Sequence, residues 1–395
     1  MSTAAPSVGA LPTMAEVARF ADEQIITAAQ ALWPGAALEF GAGVPSVTGY
    51  VRRMLVGEQV VYAKVSLLGM SLVSLLRGAA GTRAHIQAAQ YAYARTPGSP
   101  LEREAAQLAV LHRGRRPQVA PVLDYRRGVL FTQAVPGLSL ADMLLNSPQA
   151  SGPLMACVLE RLDGLRRKST SRLVIGAPID RGVHATFQRK FAGVSAPEYL
   201  ASLHADHPAA TAVLKAVVSR LGTGDSAAVG LGRALTTVVY GDLTPEHVLY
   251  PGRPGTEPVF LSPALTRDTP LADPAQLLSR CVLVLLAAQP GRTVAEQAAQ
   301  GFADFAQQQA DRFPGLRDQA LRNLLRLWAM DTANIMSTYL TTPADLPLPE
   351  HAGVLRTKAA AVLGIMHQLA GAFSARLIPE PVLRHALAAV VEAAS

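Results

Sequence analysis

The chain has 395 residues, half of them hydrophobic and 16% charged, with a formal net charge of +7. At roughly 150 residues per domain this is two or three domains, or one large two-lobed unit, with enough apolar material to exclude global disorder. Two cysteines, Cys157 and Cys281, exclude a disulfide-stapled secreted scaffold and a four-thiolate zinc site. The longest apolar runs, such as CVLVLLAA at 281–288, fall far short of the ~20 residues that span a bilayer. The opening MSTAAPSVGALPTM has no basic n-region and no apolar h-region, so no signal peptide is expected. A soluble, cytoplasmic protein with no membrane partner is the expectation.

The charge is uneven. Residues 1–150 carry +4, residues 151–233 carry +5, and residues 234–395 carry −2. Basic side chains crowd at Arg113, Arg115, Arg116, Arg126 and Arg127, and again at Arg161, Arg166, Arg167 and Lys168. Such a surface either attracts anionic partners or is simply solvated. No recognisable nucleic-acid module accompanies it, and no nucleic-acid partner is expected. Only five of the 36 basic residues are lysine: Lys64, Lys168, Lys190, Lys215 and Lys358.

In chain order, residues 1–12 read as a disordered leader. MAEVARFADEQIITAAQALW has helical periodicity and ends before Pro34 and Gly35. GAGVPSVTG (41–49) reads as a glycine-containing turn. GYVRRMLV (49–56) and QVVYAKVSL (59–67) read as a hairpin around Gly57 and Glu58. Residues 67–98 are Ala-rich and partly helical. SPLEREAAQLAVLH (99–112) predicts a helix with Ser99 as N-cap, Pro100 at its first position and Glu102 three residues after the cap. APVLDY (120–125) and GVLFTQAV (128–135) form a second hairpin-like pair, and VPGLSL leads into a helix. Beyond residue 150 the pattern is mainly helical, with a β-like island at 235–265 and amphipathic helices near 294–312, 316–340, 350–376 and 380–394. The fold class expected is α+β: a small mixed N-lobe with an antiparallel sheet, then a large, mainly helical C-lobe. The divisions are 1–12, 13–135 and 136–395.

Four features carry chemistry. Lys64 sits in the apolar strand pattern VVYAKVS, where a charge is costly without a partner unless it faces solvent. Glu104 shares a helical stripe with Leu101, Leu108 and Leu111, so this carboxylate needs a cation; Lys64 is the candidate. Taken alone, Glu104 reads as a boundary residue rather than a functional one. In VVYGDLTPEHVLY, apolar runs bracket a polar turn with Asp242 near its apex, where a carboxylate can accept a proton from a hydroxyl nucleophile. His247, five residues on, can ligate a cation or bond within the loop. Last, VFL runs into a turn and then a helix with Asp273 near its start, where a plain helix N-cap is the simplest reading.

Each feature is ordinary alone. Their order is that of the parts in a two-lobed kinase: strand lysine, inward glutamate, hairpin exit, Gly-Asp loop, strand, Asp helix. Residues ~36–285 resemble the aminoglycoside-phosphotransferase family of kinase-like enzymes. YAKVS resembles its lysine strand, and LEREAAQLAVLH its glutamate helix. FTQAVPGLSLADML resembles its hinge and P-G-x-[ST]-L step, YGDLTPEHVLY its HGDxxxxN loop, and DPAQLLSR the Asp-containing helix. The resemblance implies a two-lobed protein-kinase-like fold that binds ATP with Mg2+. Lys64 would bind phosphate and Glu104 would pair with it. Backbone groups of Gln133 to Val135 would hold adenine, Asp242 would be the catalytic base, and Asp273 would brace the loop.

Three positions depart from that pattern. Tyr240 stands for the histidine before Gly-Asp. His247 stands for the metal-binding asparagine, and Ser262, in LSPAL, for the metal aspartate. A hydroxyl is a poorer Mg2+ ligand than a carboxylate; Glu246, Asp268 and Glu257 are candidate substitutes. The expected function is ATP-dependent phosphorylation of a hydroxyl. The alternatives are an inactive pseudokinase that binds peptide or nucleotide, and a small-molecule kinase acting on an antibiotic or sugar. The +5 segment disfavours a polycationic acceptor and favours an anionic or peptide one. The loop variants resemble phosphotransferases of lanthipeptide- and thioamitide-type peptide modification. There, Ser or Thr of a precursor with an acidic leader is phosphorylated, and a lyase partner eliminates the phosphate.

Overall fold

Thr13 starts the first helix, α1 (Met14–Leu32): its hydroxyl accepts the N–H of Glu16, whose carboxylate in turn accepts the N–H of Thr13. The apolar stripe Ala21, Ile25, Ala28 and Ala29 is fully buried. It packs on a five-stranded antiparallel sheet in the order β1-β2-β3-β6-β5, made of β1 (Leu38–Val44), β2 (Tyr50–Val56), β3 (Gln59–Val65), β5 (Val122–Arg126) and β6 (Val129–Gln133). The protein is seen in a computed structural model that describes residues 11–114, 117–166, 182–194, 196–222, 236–252 and 256–395. Residues 1–10 of the expected leader therefore lie outside the described residues, as do Arg115, Arg116, Arg167 and Lys168 of the basic clusters. Leu11 rests against Gly78.

Two compact units make up the chain. One comprises Met1–Ala109, Ala120–Ala134 and Thr342–Pro349; the other comprises Val110–Val119, Val135–Thr341 and Glu350–Ser395. This differs from a single cut after residue 135 in the segments 110–119 and 342–349, and by one residue at the cut, Val135. In the second of these Leu346 joins the apolar core of the first unit, and Asp345 accepts the N–H of Met14 at 2.9 Å.

In the first unit, residues 41–44 belong to β1 rather than to a turn. The glycines permit an irregularity between Phe40 and Gly43 that keeps the strand paired to β2, and the turn is confined to the residues between β1 and β2. The β2–β3 hairpin places Lys64 opposite Val51, and β3 places it opposite Leu130 of β6. Residues 67–98 form α2 (Leu72–Leu76) and α3 (Arg83–Tyr93). Leu72, Val73, Leu75, Leu76 and Ile86 enter the core of this unit, so these residues serve as packing. The fully buried Gln90 clips α3 to the chain leaving β3. It accepts the N–H of Leu68 at 2.8 Å and donates to the carbonyl of Ser66 at 3.1 Å. Helix α4 (Pro100–Gly114) follows; the Ser99 hydroxyl accepts the N–H of Glu102, while the Glu102 carboxylate accepts that of Gly98.

The second unit is mainly helical. Its short strands are β4 (Gln118–Val119), β7 (Leu138–Ser139), β8 (Thr237–Val239), β9 (Val248–Tyr250), β10 (Val259–Phe260) and β11 (Thr266–Asp268), in sheets ordered β4-β10-β9-β7 and β11-β8. The helices are α5 (Leu140–Asn146), α6 (Ser151–Leu162), α7 (Val183–Phe191), α8 (Ala196–Asp206), α9 (Pro208–Gly222), α10 (Ala272–Ala288), α11 (Arg292–Asp311), α12 (Arg317–Thr341), α13 (Glu350–Thr357), α14 (Ala359–Ser374) and α15 (Pro379–Ala394). The expected single helix over 350–376 is two helices, broken at Lys358, whose φ and ψ of −99° and 11° leave the helical range. α10 is buried nearly all round and packs on α12. Among the described residues, no helix is long and apolar enough to cross a membrane. The architecture is α+β, with a small antiparallel-sheet unit and a large helical one.

Candidate active site

In the first unit, Lys64 and Glu104 meet. The Lys64 Nζ donates to both carboxylate oxygens of Glu104, at 2.9 and 2.8 Å, with the side chains 19% and 7% exposed. The strand's alternation directs Lys64 away from its buried neighbours Ala63 and Val65. The helical stripe does the rest: Leu101, Leu108 and Leu111 are buried with Glu104. At the other end of the sheet, Gln133 donates its N–H to Pro121 at 2.9 Å and Ala134 donates to Val60 at 3.2 Å. Of the Gln133 to Val135 backbone groups expected to hold adenine, two N–H donors are thus already used within the sheet. The two donors are spent on strand pairing, whereas the Val135 N–H makes no backbone bond among the described residues.

The step after Val135 depends on Gly137. Its φ is +128°, and a Cβ there would overlap the carbonyl of Tyr250 in β9, so only glycine fits. Ser139 then caps α5 in a reciprocal pair with Asp142.

In the second unit, β8 ends in the turn that presents Asp242. Gly241 has φ +85°, and a Cβ there would fall inside the radius of the Ala264 carbonyl oxygen. Asp273 lies beneath. It is not the N-cap of α10, a position occupied by Leu271 without a side-chain bond. Its two oxygens accept the N–H of Tyr240 at 2.7 Å and that of Gly241 at 3.1 Å, and the residue is 7% exposed. Tyr240 is fully buried, and its hydroxyl donates to the carbonyl of Leu261 at 2.7 Å. It thereby ties the turn to the residue preceding Ser262, a role no spacing in the sequence announced. Asp242 itself is half-buried.

Around this turn, charged and polar groups gather within the second unit. Arg280 of α10 bonds Asp331 of α12 in a two-point pair, Nε to Oδ2 at 2.7 Å and Nη2 to Oδ1 at 3.1 Å. Despite its burial, Arg280 holds its proton more firmly than an ordinary arginine, because Asp331 and then Asp242 offset the desolvation. Lys190 of α7 donates to the Asn334 carbonyl at 2.5 Å and to the Thr338 hydroxyl at 2.5 Å. Burial pulls its ammonium down to about 7; Asp331 opposes this, and Arg280 and Arg189 reinforce it. Burial also pushes the Tyr339 phenol up to about 12. Cys281 is free, buried and likewise raised by burial.

The metal positions fit less well. His247 closes a 3-10 turn, Pro245–His247, and its carbonyl accepts the N–H of Leu261 at 2.9 Å. Ser262 has a left-handed φ of 53°. Of the substitutes, Glu257 accepts from Gln118 at 3.3 Å, Asp268 turns back to the N–H of Thr269 at 2.7 Å, and Glu246 lies in the same 3-10 turn as His247. Among the described residues, no three His, Cys, Asp or Glu side chains form a metal-binding group. An imidazole and a hydroxyl are not the charged oxygens that a hard cation selects. The residues at these positions do not fit an ordinary Mg2+ site.

No protein-family model matches the chain, and no curated protein does. Among solved structures, the chain is similar to a thermostable mutant of aminoglycoside phosphotransferase APH(4)-Ia in ternary complex with ADP and hygromycin B. The identity is 12%, over 87% of this chain and 96% of that one, with a TM-score of 0.47. It is also similar to aminoglycoside phosphotransferase APH(3'')-Id from Streptomyces rimosus, at 20% identity over 78% of this chain and 98% of that one, TM-score 0.45. A third is the Plasmodium vivax ethanolamine kinase, at 10% identity over 82% and 81% of the two chains, TM-score 0.43.

Proposed function

We propose that this chain is an ATP-dependent phosphotransferase acting on a hydroxyl group. The observation that carries the reading is the Lys64–Glu104 pair. An ammonium has three donors; two go to Glu104, and the third remains for a phosphate oxygen of ATP. Glu104 keeps the cation in place. Asp242 supplies the base. The hydroxyl oxygen attacks the γ-phosphorus, the bond to the bridging oxygen breaks with ADP as leaving group, and the hydroxyl proton passes to the Asp242 carboxylate. Asp273 holds the backbone that carries Asp242. The Val135 N–H is the hinge donor proposed for adenine. Mg2+ neutralises phosphate charge in reactions of this kind, but no step here is assigned through it. The cytoplasm is the proposed location, since ATP is available there.

For the acceptor, the Arg280 cation lies within electrostatic reach of Asp242, and residues 151–233 carry +5. Both features disfavour a polycation and favour an uncharged or anionic hydroxyl compound. A Ser/Thr peptide behind an acidic leader, later dehydrated by a lyase partner, is the finer proposal. Phosphorylation of a neutral sugar or antibiotic, with such peptides left untouched, is the outcome that would replace it.

The experiment is Asp242→Asn with ATP binding and ADP release measured together. Transfer should fall by about 10²–10⁴-fold while ATP affinity holds within a few-fold. Undiminished turnover would refute the assignment. A second reading, a pseudokinase, is favoured by Ser262 and His247. It predicts nucleotide binding without ADP release for every acceptor offered.

A further inference from the structure

Helix α10 turns one face to the Asp242 loop. Positions 273, 276 and 280 are spaced by three and four residues and so share a stripe. Asp273 takes the two N–H groups before Asp242. Gln276, 3% exposed, takes the groups on either side of it. Its Nε2 donates to the Gly241 carbonyl at 3.3 Å, and its Oε1 accepts the Leu243 N–H at 3.4 Å. A turn further on, Arg280 is anchored by Asp331 through Nε and Nη2, and its guanidinium feels the Asp242 charge.

We propose that Gln276 and Arg280 are positioning residues for the Asp242 carboxylate, Gln276 by clamping the backbone on both sides of it and Arg280 by holding a fixed cation on the same stripe of α10, one turn further on. The inference rests on the phosphotransferase reading for its meaning in catalysis, but not for its geometry. Clamping has a purpose because the residue before Asp242 is Gly241, at φ +85°, whose own backbone carries the least conformational restraint of any residue. Gln276 is uncharged, so it can grip a donor and an acceptor at once, which neither Asp273 nor a lysine could do. Arg280 adds a cation whose planar fork is locked to Asp331. The charged and titratable groups that face it are Asp331 and Tyr339 from α12 and Asp242 from the loop, with Lys190 of α7 beyond Asp331 and Glu246 of the loop beside Tyr339.

The test uses the full chain labelled with carboxyl-13C aspartate, the Asp242 signal being assigned by its loss in Asp242→Asn. Arg280→Gln should raise the Asp242 titration midpoint by about one unit. Arg280→Gln combined with Asp331→Asn, which removes the ion pair whole, should raise it in the same direction. Gln276→Leu should speed amide hydrogen exchange at Leu243 at least about tenfold. With Mg·ATP as the probe, it should lower the rate of ADP release while the KM for ATP stays within about twofold. An Asp242 midpoint and Leu243 exchange both unchanged would overturn the proposal. If those two respond but Asp242→Asn leaves ADP release intact, the phosphotransferase reading fails and the positioning holds.

Discussion

Lys64 and Glu104 bond through both carboxylate oxygens although they stand 40 positions apart in the chain. A two-point pair between a strand and a helix resists rotation of either side chain. Lys64→Met should lower phosphoryl transfer by on the order of 10²-fold and weaken ATP binding. Glu104→Gln should follow in the same direction with a smaller loss. Far-ultraviolet circular dichroism should stay unchanged in both, and turnover and ATP affinity measured on the same samples check the prediction.

Gly241 has no room for a methyl group against the Ala264 carbonyl and holds a left-handed φ. Gly241→Ala should therefore cost about 2–4 kcal/mol of stability, read as a fall in the urea midpoint. Activity should be lost even where the variant stays folded, because the turn carries Asp242.

Ser262 already occupies the left-handed region, which aspartate tolerates better than most residues. Ser262→Asp should fold normally and supply the charged oxygen that the position lacks. The Mg2+ concentration giving half-maximal ADP release should fall several-fold. An unchanged Mg2+ dependence would remove Ser262 from the metal position.

Lys190 titrates near 7 in the folded chain against 10.5 for a free lysine, chiefly because burial disfavours its charge. The folded value is the lower one, so between those limits the unfolded chain binds more protons and stability rises with pH. From pH 7 to pH 9 the gain should be on the order of 1–2 kcal/mol. Lys190→Met should flatten that slope, which urea titrations of both proteins at the two pH values would show.

Much of this was legible in the sequence, and the rest was not for physical reasons. Period-two alternation around Lys64 and the helical stripe through Glu104 each specify a direction, so their meeting could be anticipated. The Gly-Asp turn was visible from the apolar runs on either side of Asp242. The grip of Asp273 on that turn could not be told from an N-cap, since the same carboxylate near a helix start serves both ends. Gly41 and Gly43 signal a turn, yet the strand absorbs them as an irregularity, because pairing to β2 outweighs local preference. The break at Lys358 carries no proline or glycine to mark it. Gln276 and Arg280 look like ordinary helix formers, and only the approach of the 240–243 backbone gives them purpose.

Leu346 fills the core of a unit whose sheet ends at position 133 and whose remaining segment is only Thr342–Pro349. That unit therefore cannot be excised, shuffled into another protein or inherited as one contiguous stretch. A fragment stopped at residue 341 would keep every strand of the five-stranded sheet and still lack one of its plugs, as well as helices α13 to α15 of the other unit.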